Sequence, residues 1–272
     1  MAMSNDQVKE VVRREYSERV ESKGGCGCCG DSAERAHLVE NLGYTAEQLE
    51  AVPSGAQENA FGCGNPLSFA DVETGDTVLD IGSGAGIDCL IAAEKVGNTG
   101  RVIGLDMTPA MIARAAENVL EAGVENVEFR LGDAENMPVD DNSVDWVVSN
   151  CVINLAPDKE RVFSEVRRIL KPGGKLAISD IVLGDELPAE VLESVDALVG
   201  CLGGAVRENS YLQTMREAGL EKVHISARRV YEAGDIEGLL NCSCGDGEGL
   251  LERYREALVG KVWSARVHAE NP

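Results

Sequence analysis

A chain of 272 residues with 44% apolar content is long enough for one large core with appendages and short for two full domains. Its formal charge of −22 opposes phosphate backbones, whose protein partners supply Lys and Arg, so nucleic acid is excluded as a partner. No run approaches the ~18 uninterrupted apolar residues of a membrane helix, and the opening MAMSNDQVKE lacks the basic head and apolar stretch of an export signal, so a cytoplasmic protein with no membrane partner is expected.

Behind Ser4, an N-cap residue type, Val8, Val12, Tyr16 and Val20 recur every four positions and predict an amphipathic helix. The segment KGGCGCCGD, 23–31, is too glycine-rich for a regular element and presents Cys26, Cys28 and Cys29 on a loop. Residues 1–69 read as a leader that packs on, or covers, the domain behind it.

From residue 70 the pattern alternates. TVLDIG, RVIGLDM, VEFRLGD, VDWVVSN and KLAISDIV read as buried strands. Between them IDCLIAAEKV, PAMIARAAENVLEAG and DKERVFSEVRRIL read as helices, the second opened by Pro109 and the third stopped by Lys171-Pro172-Gly173-Gly174. Strand and helix taking turns at this spacing predict an α/β fold, a parallel sheet with helices on both faces. Helices over about 188–202 and 211–218 and a strand pair near Lys222 to Tyr231 are expected to finish the sheet. This gives a core of 70–232 and a C-terminal extension of 233–272.

The first strand runs into Gly82, Gly84 and Gly86, a G-x-G-x-G turn with Ile87 where the dinucleotide fingerprint asks for its third glycine. Such a turn lets backbone approach a ligand beyond the carboxyl ends of the strands. Asp106 ends the second strand, where an acid accepts hydrogen bonds from ribose hydroxyls; Asp133 and Glu135 follow the third, where an adenine amino group is met. Asp80 precedes the glycines, either orienting the turn or meeting an amino group through water. Ser83, Met107, Ala134 and Asn150 complete the expected cofactor contacts. A string of anions with no basic residue in the loop suits a sulfonium and an ammonium better than phosphates, so S-adenosylmethionine is the expected cofactor, with a redox dinucleotide on a variant loop as the alternative.

Nine cysteines without an export signal argue for reduced thiols that do chemistry or bind something soft, against the alternative of inert packing. Cys89, inside a helix, reads as packing; Cys63 and Cys201, flanked by glycine, do not. For the outlying Cys26, Cys28, Cys29, Cys242 and Cys244 two readings stay open: capture of a thiol-seeking species or relay of oxidising equivalents by Cys28 and Cys29, or a zinc site of all five joining the termini, although C-x-C-C lacks the usual C-x-x-C spacing.

The motifs VLDIGSGAG, GLDMTPAMI, GDAENMP and LKPGGKL, in this order over about 70–182, resemble those of the class I S-adenosylmethionine methyltransferases. That resemblance implies a Rossmann-like, mostly parallel seven-stranded sheet. With Cys63 in FGCGNP, Cys151 in SNCVINL at the end of the fourth strand and Cys201 in VGCLGGA, the chain resembles the arsenite methyltransferase family from about Cys28 to the end of the sheet. The resemblance implies that Cys63, Cys151 and Cys201 bind trivalent arsenic, a soft centre that prefers thiolates. Arsenic's lone pair then takes the sulfonium methyl in line, and thioredoxin or glutathione restores thiols oxidised in reducing the product.

No general base is needed, and Asn154 and Asp180 are poor candidates for one; His37, His224 and His268 fall outside the core motifs. Phe61 stands where a tyrosine would hydrogen-bond, so its part in cofactor binding is limited to packing. Two alternatives remain at this stage: a methyltransferase for an organic small molecule with the cysteines merely packed, and a metalloid-binding protein without turnover.

Overall fold

The computed structural model describes residues 3–21, 39, 42–187, 191, 202–232 and 258–272. In chain order the elements are α1 (Asn5–Glu21), α2 (Ala46–Glu50), α3 (Ser54–Gln57), β1 (Thr77–Ile81), α4 (Ile87–Val96), β2 (Arg101–Asp106), α5 (Pro109–Ala122), β3 (Val127–Leu131), β4 (Val144–Asn150), α6 (Lys159–Ile169), β5 (Leu170–Leu183), α7 (Glu208–Glu217), β6 (Glu221–Val230) and β7 (Val262–Glu270). The strands form one seven-stranded sheet in the order β3-β2-β1-β4-β5-β7-β6. The first five strands in this order run parallel, and β7 lies antiparallel to both β5 and β6.

β1 sits at the middle of the parallel part, between β2 and β4, and four of its five residues are buried. The chain order reverses there, which opens the crevice that α/β sheets use for ligands. Met111, Ala115 and Val119, four residues apart, give α5 its buried face. Val162, Phe163, Val166 and Ile169 do the same for α6, whose N-cap Asp158 accepts the Arg161 N–H at 2.9 Å. Gly123, at φ 67°, adopts the left-handed turn that ends α5. Two apolar clusters fill the two faces of the sheet, and a third, containing Val12, Cys63 and Cys151, lies over the carboxyl ends of the central strands.

The expected leader helix is present as α1, capped reciprocally by the Ser4 and Gln7 side chains. The strand pair expected near Lys222 to Tyr231 is instead a single strand, β6, whose partner β7 comes from the stretch set apart as an extension. β6 is largely exposed and carries little apolar alternation, so neither its length nor its partner is written in its local pattern. Its long reach replaces a hairpin. The helix expected over 188–202 falls mostly outside the described residues, whereas the one expected over 211–218 is α7. Among the described residues no helix is long and apolar enough to cross a membrane.

Candidate active site

A cavity open to solvent lies beyond the carboxyl ends of β1, β2 and β4. Its floor is the glycine turn. Gly82, Gly84 and Gly86 have φ of 73°, 51° and 92°, a region that side chains resist, and a Cβ on Gly82 would overlap Val152. The turn is pinned to β2 by hydrogen bonds from the Gly82 and Ser83 N–H groups to the Leu105 carbonyl, at 2.7 and 3.0 Å. Asp106, at the end of β2, accepts the N–H of Gly84 at 3.0 Å and of Thr108 at 2.8 Å, which fixes its carboxylate at the cavity wall. Burial raises its pKa, and these backbone donors pull the other way.

Ser83, Met107, Asp133, Ala134 and Asn150 also line the cavity. Asp80 and Glu135 do not. Asp80 lies buried behind the turn, accepting from the Cys89 thiol at 3.4 Å, and burial together with nearby Asp88 raises its pKa well above the ordinary range. Glu135 faces Lys9 of α1 and accepts the Asp158 N–H at 3.0 Å. Lys9 also reaches Asp133, at 2.7 Å, so α1 is tied to the loop after β3 through both acids. Val12 and Tyr16 continue the wall that α1 contributes, and Phe61 packs edge-on against Tyr16 at 5.9 Å.

Sequence reasoning missed Tyr44, Asp88 and Lys9. Asp88 is a buried carboxylate in the first turn of α4, where the positive end of the helix favours it. Tyr44 donates to it at 2.9 Å, and Asn150 lies 3.4 Å from its other oxygen. Burial raises its pKa to about 6 against those two hydrogen bonds. A carboxylate next to the apolar run from Cys89 to Ala93 is the one local signal that could have found it. Among the described residues the cavity lining holds three carboxylates, Asp88, Asp106 and Asp133, against one ammonium, Lys9.

Asn150 joins this cavity to the thiols. Its Nδ2 donates to the Gly64 carbonyl at 2.6 Å and to Tyr44 at 3.1 Å, while its Oδ1 accepts the Cys63 N–H at 3.0 Å. Gly62 and Gly64 let the Cys63 segment lie this close, because a Cβ would overlap Asn150 at one and Ser179 at the other. Ser264 donates to the Cys63 carbonyl at 2.8 Å, anchoring it to β7. Cys151 follows β4 with φ 61°, a left-handed conformation that costs energy in a residue with a Cβ and that turns the chain sharply as it leaves the strand.

Both thiols are buried, and Cys151 lines the cavity. The ligand atoms of Cys63, Cys151 and Asp180 all lie within 4.8 Å of one another. Two of the three expected arsenic cysteines are thus brought together. Cys201 lies outside the described residues, as do Cys26, Cys28, Cys29, Cys242, Cys244 and His37. His224 and His268 stack at 4.9 Å on β6 and β7, apart from the cavity lining.

A reversed-order parallel sheet, a glycine turn and a carboxylate closing the neighbouring strand define a nucleoside-cofactor transferase site, and residues 73–219 match the family model described as a methyltransferase domain. The chain is 46% identical over 235 residues to an arsenite methyltransferase of Halobacterium salinarum, covering 82% of this chain and 60% of that one. It is 39% identical over 200 residues to an arsenite methyltransferase of Aquipseudomonas alcaligenes, covering 71% of this chain and 55% of that one. A crystal structure of an arsenic (III) S-adenosylmethionine methyltransferase from Chlamydomonas reinhardtii superposes with a TM-score of 0.67 at 32% identity, covering 83% of this chain and 72% of that one. The chain belongs to the arsenite methyltransferase family, whose cofactor is S-adenosylmethionine. It spans about three fifths of the length of these curated relatives.

Proposed function

We propose that the protein transfers a methyl group from S-adenosylmethionine to trivalent arsenic held by Cys63, Cys151 and Cys201. The observation that carries this reading is the pair of buried thiols, Cys63 and Cys151, with sulfurs within 4.8 Å at the mouth of β4, beside the nucleoside cavity. Methyltransferases for oxygen or nitrogen acceptors need a base at such a place. Here two thiols stand there, with the Asp180 carboxylate beside them.

The residues present fit S-adenosylmethionine. The cavity is rich in carboxylates, as a ligand with a sulfonium and an ammonium requires, and the buried hydroxyl of Ser83 is without a hydrogen-bond partner. Asp106 would accept from the ribose hydroxyls and Asp133 from the adenine amino group, while Asp88, held by Tyr44 and Asn150, would meet the ammonium. The cofactor supplies an electrophilic methyl group on sulfur.

Arsenite enters as the trihydroxide, and each thiol that binds it forms a sulfur–arsenic bond and releases water. The lone pair of arsenic is left uncovered. Cys63 and Cys151 orient that lone pair toward the cavity, and Asn150, bonded to both the Cys63 segment and the cofactor-facing Asp88, sets their spacing. Transfer leaves arsenic formally pentavalent. Two protein thiols reduce it to the trivalent state and become a disulfide, which thioredoxin or glutathione of a reducing cytoplasm restores.

Incubation of the purified chain with arsenite, S-adenosylmethionine and a thiol should yield one S-adenosylhomocysteine for each methyl group found on arsenic. Formation of neither, by a protein that still binds the cofactor, overturns the reading.

A further inference from the structure

Asp180 is the member of the buried triad that arsenic chemistry does not use. Trivalent arsenic takes thiolates and gains little from a carboxylate, yet this carboxylate, on β5 and fully buried, has an oxygen within 4.8 Å of both sulfurs. Three donors hold it there. Asn154 Nδ2 and the Ile181 N–H donate to Oδ1 at 2.8 and 2.9 Å, and the Tyr211 hydroxyl donates to Oδ2 at 3.0 Å. Each carboxylate oxygen offers two lone pairs; Oδ1 takes two of these donors and Oδ2 takes the Tyr211 hydroxyl, with the Asn154 backbone N–H also favouring the charged form.

Outer hydrogen bonds that fix a carboxylate are the usual support of a metal ligand. Two sulfurs and one oxygen form a donor set that zinc accepts, with a fourth position left for water. The Asn154 carboxamide, bonded to Asp180 through Nδ2, has its Oδ1 buried without a hydrogen-bond partner. A water on the metal would supply the missing donor.

We propose that Cys63, Cys151 and Asp180 form a binding site for one zinc ion, which there excludes trivalent arsenic. Zinc and the two thiols combine with release of two protons to solvent, giving two zinc–sulfur bonds and one zinc–oxygen bond to Asp180; nothing is oxidised or reduced. Ligation through two thiolates and a carboxylate places negative charge around the bound centre, which a divalent cation offsets and a neutral metalloid does not. Competition with arsenite rests on the arsenic reading above, whereas the zinc site itself does not.

The test uses the full chain with Cys26, Cys28, Cys29, Cys242 and Cys244 replaced by Ser, so that their thiols do not compete, and cadmium as the spectroscopic stand-in for zinc. One equivalent of cadmium should produce the ultraviolet thiolate-to-metal band, and either Cys63→Ser or Cys151→Ser should weaken it. Loss of an outer partner alone typically costs metal affinity about tenfold or more, so Asp180→Asn should lower cadmium affinity at least that far while keeping the band. Unchanged affinity in Asp180→Asn overturns the proposal. Should that variant fail to fold, cadmium NMR of the parent chain decides: a resonance in the mixed sulfur–oxygen range supports it, and an all-sulfur resonance overturns it.

Arsenite titration of the same proteins separates the two readings. Cadmium bound without arsenite bound leaves the zinc site and removes the arsenic reading; arsenite bound without cadmium does the reverse. In turnover, zinc should raise the apparent KM for arsenite and leave kcat unchanged, and a fall in kcat alone contradicts a shared site.

Discussion

The Asn150 side chain accepts the backbone N–H of Cys63 at 3.0 Å, across 87 residues of sequence, and so fastens a leader segment to the end of β4. The same carboxamide donates to the Gly64 carbonyl and to Tyr44, which makes it the joint between the cofactor cavity and the thiols. Asn150→Ala leaves buried partners unsatisfied, each worth about 1–3 kcal/mol. We expect kcat/KM for arsenite to fall on the order of a hundredfold, as small misplacements of reacting groups do. Steady-state kinetics with arsenic speciation checks this, and wild-type values in the variant would remove Asn150 from the account.

Gly64 lies where a Cβ would overlap the Ser179 hydroxyl. Gly64→Ala should displace the Cys63 loop, lowering kcat/KM for arsenite about tenfold or more, with cofactor affinity nearly unchanged. Adding Ser179→Ala removes the obstructing hydroxyl and should recover part of the loss. Affinity by calorimetry and turnover on the single and double variants measure both effects; no recovery would place the cost elsewhere.

Val12 on α1 is 1% exposed and packs in the cluster that also holds Cys63 and Cys151. Val12→Asp would bury an unpaired carboxylate, which costs about 3–5 kcal/mol and exceeds what one docked helix face returns. The helix should lift, separating Lys9 from Asp133 and Glu135. Trypsin should then cut after Arg13 or Arg14, and cofactor affinity should drop. An uncut chain with wild-type affinity would show that α1 is not part of the cavity wall.

The parallel half of the sheet was legible because each strand and its helix repeat locally, with Gly123 and Asp158 marking helix ends. The glycine turn and Asp106 were legible for the same reason: turn chemistry is written in adjacent residues. The pairing of β6 with β7 was not, since residues 231–261 separate them and β6 has no apolar alternation. The part α1 plays in the wall rests on Lys9 meeting acids more than 120 residues away, which no local pattern encodes. Asp88 was missed because its burial depends on Tyr44 and Asn150, distant in sequence.

Asp88 also gives a pH dependence. Its folded-state pKa, about 6, stands above the unfolded value near 3.8, so the folded chain holds a proton that the unfolded chain has lost between these values. The stabilisation is present below about pH 4 and disappears as pH rises through about 6. Asp88→Asn lacks this group, so the Tm of wild type minus that of the variant should fall by a few degrees from pH 4 to pH 7. Saturating S-adenosylmethionine should shrink the fall, because its ammonium offsets the buried charge. Thermal melts across pH, with and without cofactor, check it; a constant difference contradicts the assignment.

The central claim is that the thiols at the end of β4 hold the methyl acceptor, and Cys151→Ser tests it most directly. The variant should bind S-adenosylmethionine as wild type does while forming no methylated arsenic and no S-adenosylhomocysteine above background. Methylated arsenic at the wild-type rate from Cys151→Ser would contradict the account.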